Sequence, residues 1–408
     1  MISEKTRNFS FLFILISIFS FGQKKDIITI KNGIDRPNIL PIHHFGLFSA
    51  RINQNFKNRV QEKSTFSFSL SSANTFHPFV EMYLPENESD RKLQREQIWF
   101  NRRFNFINQE TTPAKYSNII IDAVFKNLRI DFNTKIGKKQ ELNITLRSYL
   151  VTKGKYPFSF FTSDETIEWF HSNIAGGEDP FGRKYYDLNQ VNIKYQDRNG
   201  KTLELKDGQF LIGGIEFNHF YYPEIINLKE KNISLNFGSH LGINTSKFNP
   251  SIDIGFSGNI IKKWMLKSNK EIRSSFGTAL LRKNILNFKD VIDLGNNKFL
   301  GSSEAMVEYT KYTPKKNYHS VSVNYQIQTP FFKTQEADYY QLIGKWKEIH
   351  SGWQNGFEKM YEYLSSWSWL YSYGTKKYAF TVYIKEDLYL NNSPDLQTGI
   401  SLKIPLSN

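Results

Sequence analysis

Apolar and polar residues alternate along residues 233–244, and this alternation is the clearest structural signal in the chain. A period of two is typical of a β-strand with one apolar and one polar face. About eleven residues at about 3.3 Å each, tilted by about 45°, rise roughly 26 Å, which matches the apolar band of a transmembrane β-barrel. The apolar positions are Ile233, Leu235, Phe237, Leu241 and Ile243, interrupted only at Ser239.

The same alternation recurs along most of the chain, at the steady intervals expected of an up-and-down barrel. We therefore predict an all-β fold: an antiparallel up-and-down transmembrane β-barrel of about 12 strands, within a range of about 10 to 14. The predicted strands include residues 119–135, 141–151, 209–222, 232–244, 251–264, 270–282, 297–312, 317–329, 367–373 and 378–384.

The two ends of the predicted barrel show shorter alternations. Phe48, Ala50 and Ile52 alternate with polar residues, as do Phe66, Phe68 and Leu70, and we expect these two runs to pair as a hairpin. The last run, residues 396–406, also alternates. A barrel must close on its final strand, and this run fits that role.

Other segments break the period of two. Long loops are expected near residues 85–115, 153–187 and 333–364. Thr162 and Glu165 form a capping-box pattern ahead of a predicted short helix at 163–172. Apolar residues three or four apart predict an amphipathic helix near 337–364, with a pair of irregular strands as the alternative. Asn199-Gly200 predicts a hairpin between residues 191 and 205.

The N-terminus carries the pattern of a secretory signal. Lys5 and Arg7 precede an apolar run over residues 9–21, and small residues end it before Gln23. We predict a signal peptide at 1–22 and a single outer-membrane barrel domain at 23–408. The alternative is an uncleaved anchor, although the run is shorter than the roughly 20 residues of a spanning helix.

The amino-acid composition further limits which classes of protein and of partner fit the chain. The chain has no cysteine, which excludes disulfides and thiolate metal sites. Its net charge is +14, but export disfavours nucleic acid as a partner, and the lysines are scattered through turns. The expected partners are outer-membrane lipid and, during insertion, the barrel-assembly machinery, with solvated loop lysines as the plainer explanation of the charge. Aromatic residues, 16% of the chain, suit the girdles of a barrel.

Polar residues inside predicted strands are candidates for the lumen. A charge on the lipid face costs about 2 to 4 kcal/mol at the bilayer midplane, so charged strand residues are expected to face inward. No particular solute is indicated by this set. The lumen-lining candidates are Asp122, Lys126, Ser234, Asn236, His240, Asp253 and Ser257.

Catalytic and metal-binding motifs are weak. No nucleophile elbow, zincin motif or P-loop occurs, and we expect no enzyme activity and no cofactor. If the protein is a hydrolase, His240 and Ser257 are the candidates for its serine–histidine site. A catalytic triad is defined by its geometry, so its members need not be close in the sequence. The loop candidates for oxygen or nitrogen ligands are Glu168, His171, Glu178, Asp179 and Arg183, without a predicted metal.

Four segments together resemble a domain-of-unknown-function family of Gram-negative envelope proteins. They are residues 48–56 with Asn53-Gln54-Asn55, Ser71-Ser72-Ala73-Asn74, residues 167–183 with His171, and the ending from Glu386-Asp387-Leu388 to Asp395-Leu396. The Phe-Gly-Gln end of the signal and the richness in Lys, Asn, Ile and Phe are similar to exported proteins of Bacteroidetes. The resemblance implies an outer-membrane barrel and no activity.

Three hypotheses follow from the sequence. The leading one is a non-enzymatic outer-membrane β-barrel with porin-like passage of small solutes or a structural role in the envelope. The second is a soluble periplasmic or secreted β-protein that binds a lipid or glycan, in which the apolar faces pack a core. The third is an outer-membrane hydrolase.

Overall fold

Twelve strands close into one antiparallel barrel in a computed structural model of the chain, as the alternation predicts. The structure describes residues 31–36, 52–83, 87–90, 116–154, 159, 161–174, 191, 193–197, 199–293, 297–330, 363–386 and 396–406. The elements are β1 Thr65–Tyr83, β2 Tyr116–Gly137, β3 Gln140–Thr152, α1 Asp164–Asn173, β4 Ile193–Gln196, β5 Thr202–Leu205, β6 Phe210–Tyr221, α2 Ile226–Glu230, β7 Ile233–Asn244, β8 Ser251–Leu266, β9 Lys270–Asn287, β10 Phe299–Tyr312, β11 Tyr318–Gln328, β12 Leu364–Gly374, β13 Ala379–Glu386 and β14 Leu396–Pro405.

Barrel strands that follow one another in sequence are neighbours in the sheet. Strands β4 and β5 lie outside this order and form a separate two-stranded sheet, the hairpin predicted at Asn199-Gly200. Strand β14 pairs with both β13 and β1, from Thr65 opposite Pro405 to Ala73 opposite Gln397. The last strand therefore closes the barrel.

The two rims differ in their connections. One rim carries the short turns between β2 and β3, β8 and β9, β10 and β11, and β12 and β13, together with α2 and both ends of the barrel sequence. The opposite rim carries the long connections, including the one that contains α1, β4 and β5. None of the described helices is long and apolar enough to cross a membrane.

The side chains sort onto two faces with opposite chemistry. Outward-facing residues are apolar and exposed: Phe237 is 53% exposed and Phe256 62% exposed. Inward-facing residues are mostly polar and buried, for example Asn236, His240 and Asp253. The expected outward positions of β7, from Ile233 to Ile243, are confirmed by the burial pattern of that strand.

The hairpin expected between residues 48–53 and 65–70 is wrong as far as it is described. Strand β1 pairs with β2 and β14, and Ile52 and Asn53 lie in an irregular segment. Both edges of β1 are already occupied, so no ladder position is left for this segment. Ile52 is buried in the barrel interior instead. Residues 37–51 lie outside the described residues.

The short helix is confirmed as α1, but its cap differs from the expected one. Ser163, not Thr162, is the N-cap, and its side chain accepts a hydrogen bond from the backbone N–H of Thr166. The expected helix near 337–364 lies outside the described residues except for Tyr363 and Leu364, where Leu364 begins β12. Of the loop expected at 85–115, only residues 87–90 are described.

Proline in the closing strand tests whether the barrel depends on that seam. We expect Ile400→Pro to abolish the compact species that migrates fast on an unheated detergent gel. Residue 400 lies between Leu70 of β1 and Val382 of β13 in the sheet. Proline has no backbone N–H, so it cannot donate a hydrogen bond to either neighbouring strand, and its ring disturbs the pairing.

Ile400→Val is the control and should keep heat-dependent migration. Normal migration of the proline variant would show that β14 does not close the sheet.

Candidate functional site in the barrel lumen

The N-terminal segment, described at residues 31–36 and 52–60, lies inside the barrel, and we call it the plug. Its two arms run antiparallel: Asn32 pairs with Arg59, the backbone N–H of Ile34 donates to Phe56 O at 2.9 Å, and Arg36 donates to Asn53. Gly33 makes the close approach feasible, because its φ is 96° and a Cβ atom there would overlap the Phe56 carbonyl. The plug enters from the short-turn rim, where β1 begins.

A small apolar cluster holds the plug near the centre of the barrel. Ile34 and Phe56 of the plug are buried together with four inward-facing residues of the wall. These are Ile261 of β8, Met306 of β10, Leu370 of β12 and Tyr383 of β13. The wall therefore places apolar side chains on its otherwise polar inner face where the plug contacts it.

Ion pairs anchor the first arm of the plug to one side of the wall. The Lys31 ammonium lies 2.5 Å from Glu308 and donates to Ser320 at 3.1 Å. Arg36 lies 2.5 Å from Glu304, on the same strand, β10. All four of these charged side chains are almost fully buried. Opposite charges thus meet in pairs inside the lumen.

Asp35 forms an ion pair of the opposite sense, in which the plug supplies the anion and the wall supplies the cation. It accepts from Lys403 of β14 at 3.1 Å and from the Tyr318 hydroxyl. Burial alone would raise the pKa of Asp35, but Lys403 and Lys31 outweigh it and hold that pKa well below its usual range. Asp35 is therefore ionised at neutral pH.

The second arm is bound to the opposite wall. Lys57 pairs with Glu141 of β3, and burial lowers the pKa of Lys57 while Glu141 opposes that effect. Asn236 of β7 donates to Asn55 O at 2.8 Å, and Asn55 donates to the Tyr222 hydroxyl at 2.8 Å. Polar contacts to the plug thus come from both sides of the barrel.

The space left around the plug is small inside the barrel and larger at the short-turn rim, where a pocket of about 490 Å³ lies beside Asn58 and Arg59. One polar cavity of about 120 Å³ lies between the plug and strands that carry Asp131, Asn143 and Glu216. A second of about 200 Å³ opens near the short-turn rim beside Lys57 and Lys403. The cavities of about 120 and 200 Å³ each have room for a few water molecules, since one water occupies about 30 Å³ of the liquid.

A second charge network lies on the wall itself. Glu216 of β6 binds Arg129 at 3.0 Å and Arg147 at 2.9 Å. Arg147 also donates to Asn244, which donates to Asp253 at 2.8 Å. The sequence prediction included Asp253 but missed these arginines and Glu216, although each charge falls on the polar face of a strand.

Five of the predicted lumen candidates lie on the inner face of β7 or β8. Ser234 faces Asn58 of the plug at 3.4 Å, Asn236 binds the plug backbone, and Asp253 belongs to the network above. His240 and Ser257 face each other across neighbouring strands. Asp122 lies on β2, but its side chain is outside the described residues.

His240 connects Ser257 to Asn218 by hydrogen bonds. Its Nε2 lies 2.8 Å from the Ser257 hydroxyl and its Nδ1 lies 2.7 Å from the Asn218 side-chain oxygen. This connectivity is that of a catalytic triad with asparagine as the third member. Phe220 packs edge-on against His240, and all three members of the chain are buried. The 120 Å³ cavity is lined by Asn218 and Phe220 but not by Ser257.

Lys126 lies on the outer face of the barrel, not in the lumen as expected from its charge. On strand β2, Lys126 shares a face with Leu128, which is 41% exposed, whereas Arg129 is buried on the other face. The connection between β3 and β4 covers it, and its ammonium donates to Ser159 at 2.6 Å and to Ser72 at 2.7 Å. A local cover thus shields this charge on the outer face of the barrel.

The loop candidates are only partly described. Glu168 lies on α1, as does His171, whose side chain is outside the described residues together with Glu178, Asp179 and Arg183. Within the described ranges, no group of three or more His, Asp or Glu side chains is placed to hold a metal ion.

Several solved barrels are similar to this chain in fold. An outer membrane channel from Pseudomonas putida F1 is 7% identical, with a TM-score of 0.42 over 87% of this chain and 100% of that chain. The β domain of the Bordetella autotransporter BrkA is 6% identical, with a TM-score of 0.38 over 85% and 100%. The NanC porin is 6% identical, with a TM-score of 0.34 over 70% and 94%. No family model and no curated protein matches the chain.

Loss of one buried charge tests how the plug is held. We expect Glu308→Gln to lower the free energy of unfolding by about 3 kcal/mol, because the buried Lys31 then lacks its nearest partner. Trypsin cleavage at Lys57 of the folded protein should become faster as the plug loosens.

Glu62→Gln is the matched control. Glu62 is 80% exposed and its pair with Arg59, at 3.3 Å, should contribute less than about 1 kcal/mol. Equal effects of the two changes on stability and cleavage would show that the lumenal ion pairs do not hold the plug.

Proposed function

We propose that this protein is a non-enzymatic outer-membrane β-barrel that passes small polar solutes through a lumen closed by its own N-terminal plug. The observation that carries the proposal is the contrast between the two faces of the sheet. The outer face is apolar and exposed, whereas the inner face is polar and surrounds a segment that is not part of the sheet.

The outer face supports a membrane location. In a soluble protein the apolar faces of the strands would pack a core, but here they point away from the molecule. Aromatic side chains lie toward both rims: Tyr373 contacts Tyr378 near the short turns, and Tyr325 contacts Trp367 toward the long connections. Such belts are typical of barrels at the two membrane interfaces. Export through the predicted signal peptide at 1–22 belongs to this proposal.

The plug supports a gated conduit. Its contacts with the wall are mostly hydrogen bonds and ion pairs, each of which water replaces when a segment leaves. A typical hydrogen bond contributes only about 0.5–1.5 kcal/mol net, so several together favour the closed state without making it permanent. The chain has no cysteine that would fix the plug covalently. A purely structural barrel has less need of a removable segment.

Hydrolysis is not part of the proposal, despite the hydrogen-bonded chain through His240. Ser257 is buried and lies outside the lining of the neighbouring cavity, so a substrate has no described route to its hydroxyl. The strand N–H groups beside it belong to the ladder, which leaves no free pair to stabilise an oxyanion. The chain of hydrogen bonds serves the packing of the lumen.

A charge on the outer face tests the membrane location. We expect Phe237→Arg to lower the free energy of unfolding from lipid vesicles by about 2–4 kcal/mol, the cost of an arginine near the midplane. Asn287→Arg, at the exposed long-connection end of β9, should cost about 0–1 kcal/mol because it lies near the interface. If both substitutions lowered the free energy of unfolding by the same small amount, the result would favour a soluble protein. Surface substitutions in soluble proteins change that free energy by close to zero.

Conductance in planar bilayers tests the conduit. The wild-type protein should be closed for most of the recording, and the double change Glu304→Gln with Glu308→Gln should raise the open fraction at least tenfold. Each substitution removes a carboxylate that binds the plug.

A reversible lock provides the control. In the same background, Gln54→Cys with Gly277→Cys joins the plug to β9: a Cβ atom at 277 would lie 2.9 Å from Cδ of Gln54, and the atoms it meets belong to side chains. The oxidised lock should silence the channel and a reductant should restore it. Silence of every variant, with the plug open to trypsin, would contradict the conduit and favour a structural role.

A further inference from the structure

An apolar groove of about 1060 Å³ runs along the outer wall of the barrel from β10 to β2. The groove runs across the strands. Val307 of β10 is paired with Val323 of β11, which is paired with Trp369 of β12. Phe161, from the connection after β3, lies over its end near β2. The lining is almost entirely apolar apart from that end.

The polar end of the groove contains a buried cation that has no counter-ion among the described residues. Lys126 lines the groove and is 4% exposed. Its ammonium donates to two hydroxyls, of Ser72 and Ser159, and Ser72 in turn contacts Thr162 at 2.5 Å. Among the described residues, no carboxylate lies within ion-pair distance of it. A buried unpaired charge is costly, which favours an anion as its missing partner.

The position of Lys126 along the wall fits an interfacial headgroup. On the outer face of β1, Phe66, Phe68 and Leu70 lead to Ser72, which is opposite Lys126 in register. The next outward residue is Asn74. The apolar belt of this part of the wall therefore ends at Lys126, on the side of the long connections.

Phe161 adds evidence that the groove is shaped for a ligand. Its φ is 60°, a left-handed backbone that is an outlier for a bulky residue, and its ring is 65% exposed over the groove. Strain of this kind persists when the surroundings fix it, and it clusters at ligand clamps. The adjoining Thr162 is fully buried and anchors the turn.

We propose that this groove binds one anionic phospholipid of the surrounding bilayer, with its acyl chains along β10–β14 and its phosphate at Lys126. The proposal rests on the membrane location proposed above. The groove has room for about 35 groups of the size of a water molecule, at about 30 Å³ each, which suits two acyl chains better than one. An ammonium flanked by hydroxyls matches the acceptor oxygens of a phosphate.

Native mass spectrometry of the barrel in nanodiscs tests the site. The nanodiscs are phosphatidylcholine with a minor fraction of phosphatidylglycerol, and heat-dependent migration shows that each sample is folded. We expect the wild-type protein to retain one phosphatidylglycerol after transfer to a mild detergent. Lys126→Gln should reduce that retention at least tenfold.

Two further variants make the result specific. Lys311→Gln is the matched control, because Lys311 is an exposed outward lysine at the short-turn end of β10, and it should retain lipid as the wild type does. Val323→Trp narrows the groove without touching the charge and should also reduce retention, which guards against misfolding of the Lys126 variant.

The outcomes separate the two proposals. A folded, inserted wild-type barrel that retains no lipid, or retains phosphatidylcholine equally well, overturns the lipid site alone. Equal retention by the wild type and Lys126→Gln does the same. A wild-type protein that does not insert into the nanodisc contradicts the membrane location itself.

Discussion

Closure of the sheet is the constraint on which the rest of this structure depends. Once β14 pairs with both β13 and β1, each barrel strand has two neighbours and no edge remains for another segment. A segment such as residues 52–56 then has only two places to go: outside the wall or into the lumen. Its polar residues and the inward-facing carboxylates make the lumen the favourable place.

The charges of the wall and the plug are complementary in detail. Three cations of the plug, Lys31, Arg36 and Lys57, meet three glutamates of the wall, and the one anion, Asp35, meets a wall lysine. Without the plug those glutamates would face either water or one another, and a dry lumen would leave them uncompensated. The plugged lumen therefore has a paired interior with limited room for water, and the open state of the proposed conduit must be hydrated. The proposed gate requires this coupling between occupancy and hydration.

The sequence allowed most of the wall to be predicted but not the contents of the lumen. Strands from β6 to β11 were predictable because each has one apolar and one mostly polar face along most of its length. The same pattern would also have identified Glu304 and Glu308, which occupy polar positions of a predicted strand. The first arm of the plug has no periodic signal, and its partners are hundreds of residues away, as with Lys31 and Ser320. Contacts of that separation are set by the tertiary fold and leave no local pattern.

Lys126 shows why a rule about charges and faces fails locally. The rule assigns a strand charge to the lumen because lipid exposure is expensive, and it assumes that the outer wall has no cover. Here the connection after β3 returns over the wall, and its Ser159 joins Ser72 of β1 as a hydroxyl acceptor, so an outward lysine becomes tolerable at the end of the apolar belt. These two hydroxyls accept hydrogen bonds from the ammonium, but no carboxylate among the described residues compensates its charge. In the proposed membrane location, the negative charge of a phospholipid headgroup would compensate this ammonium.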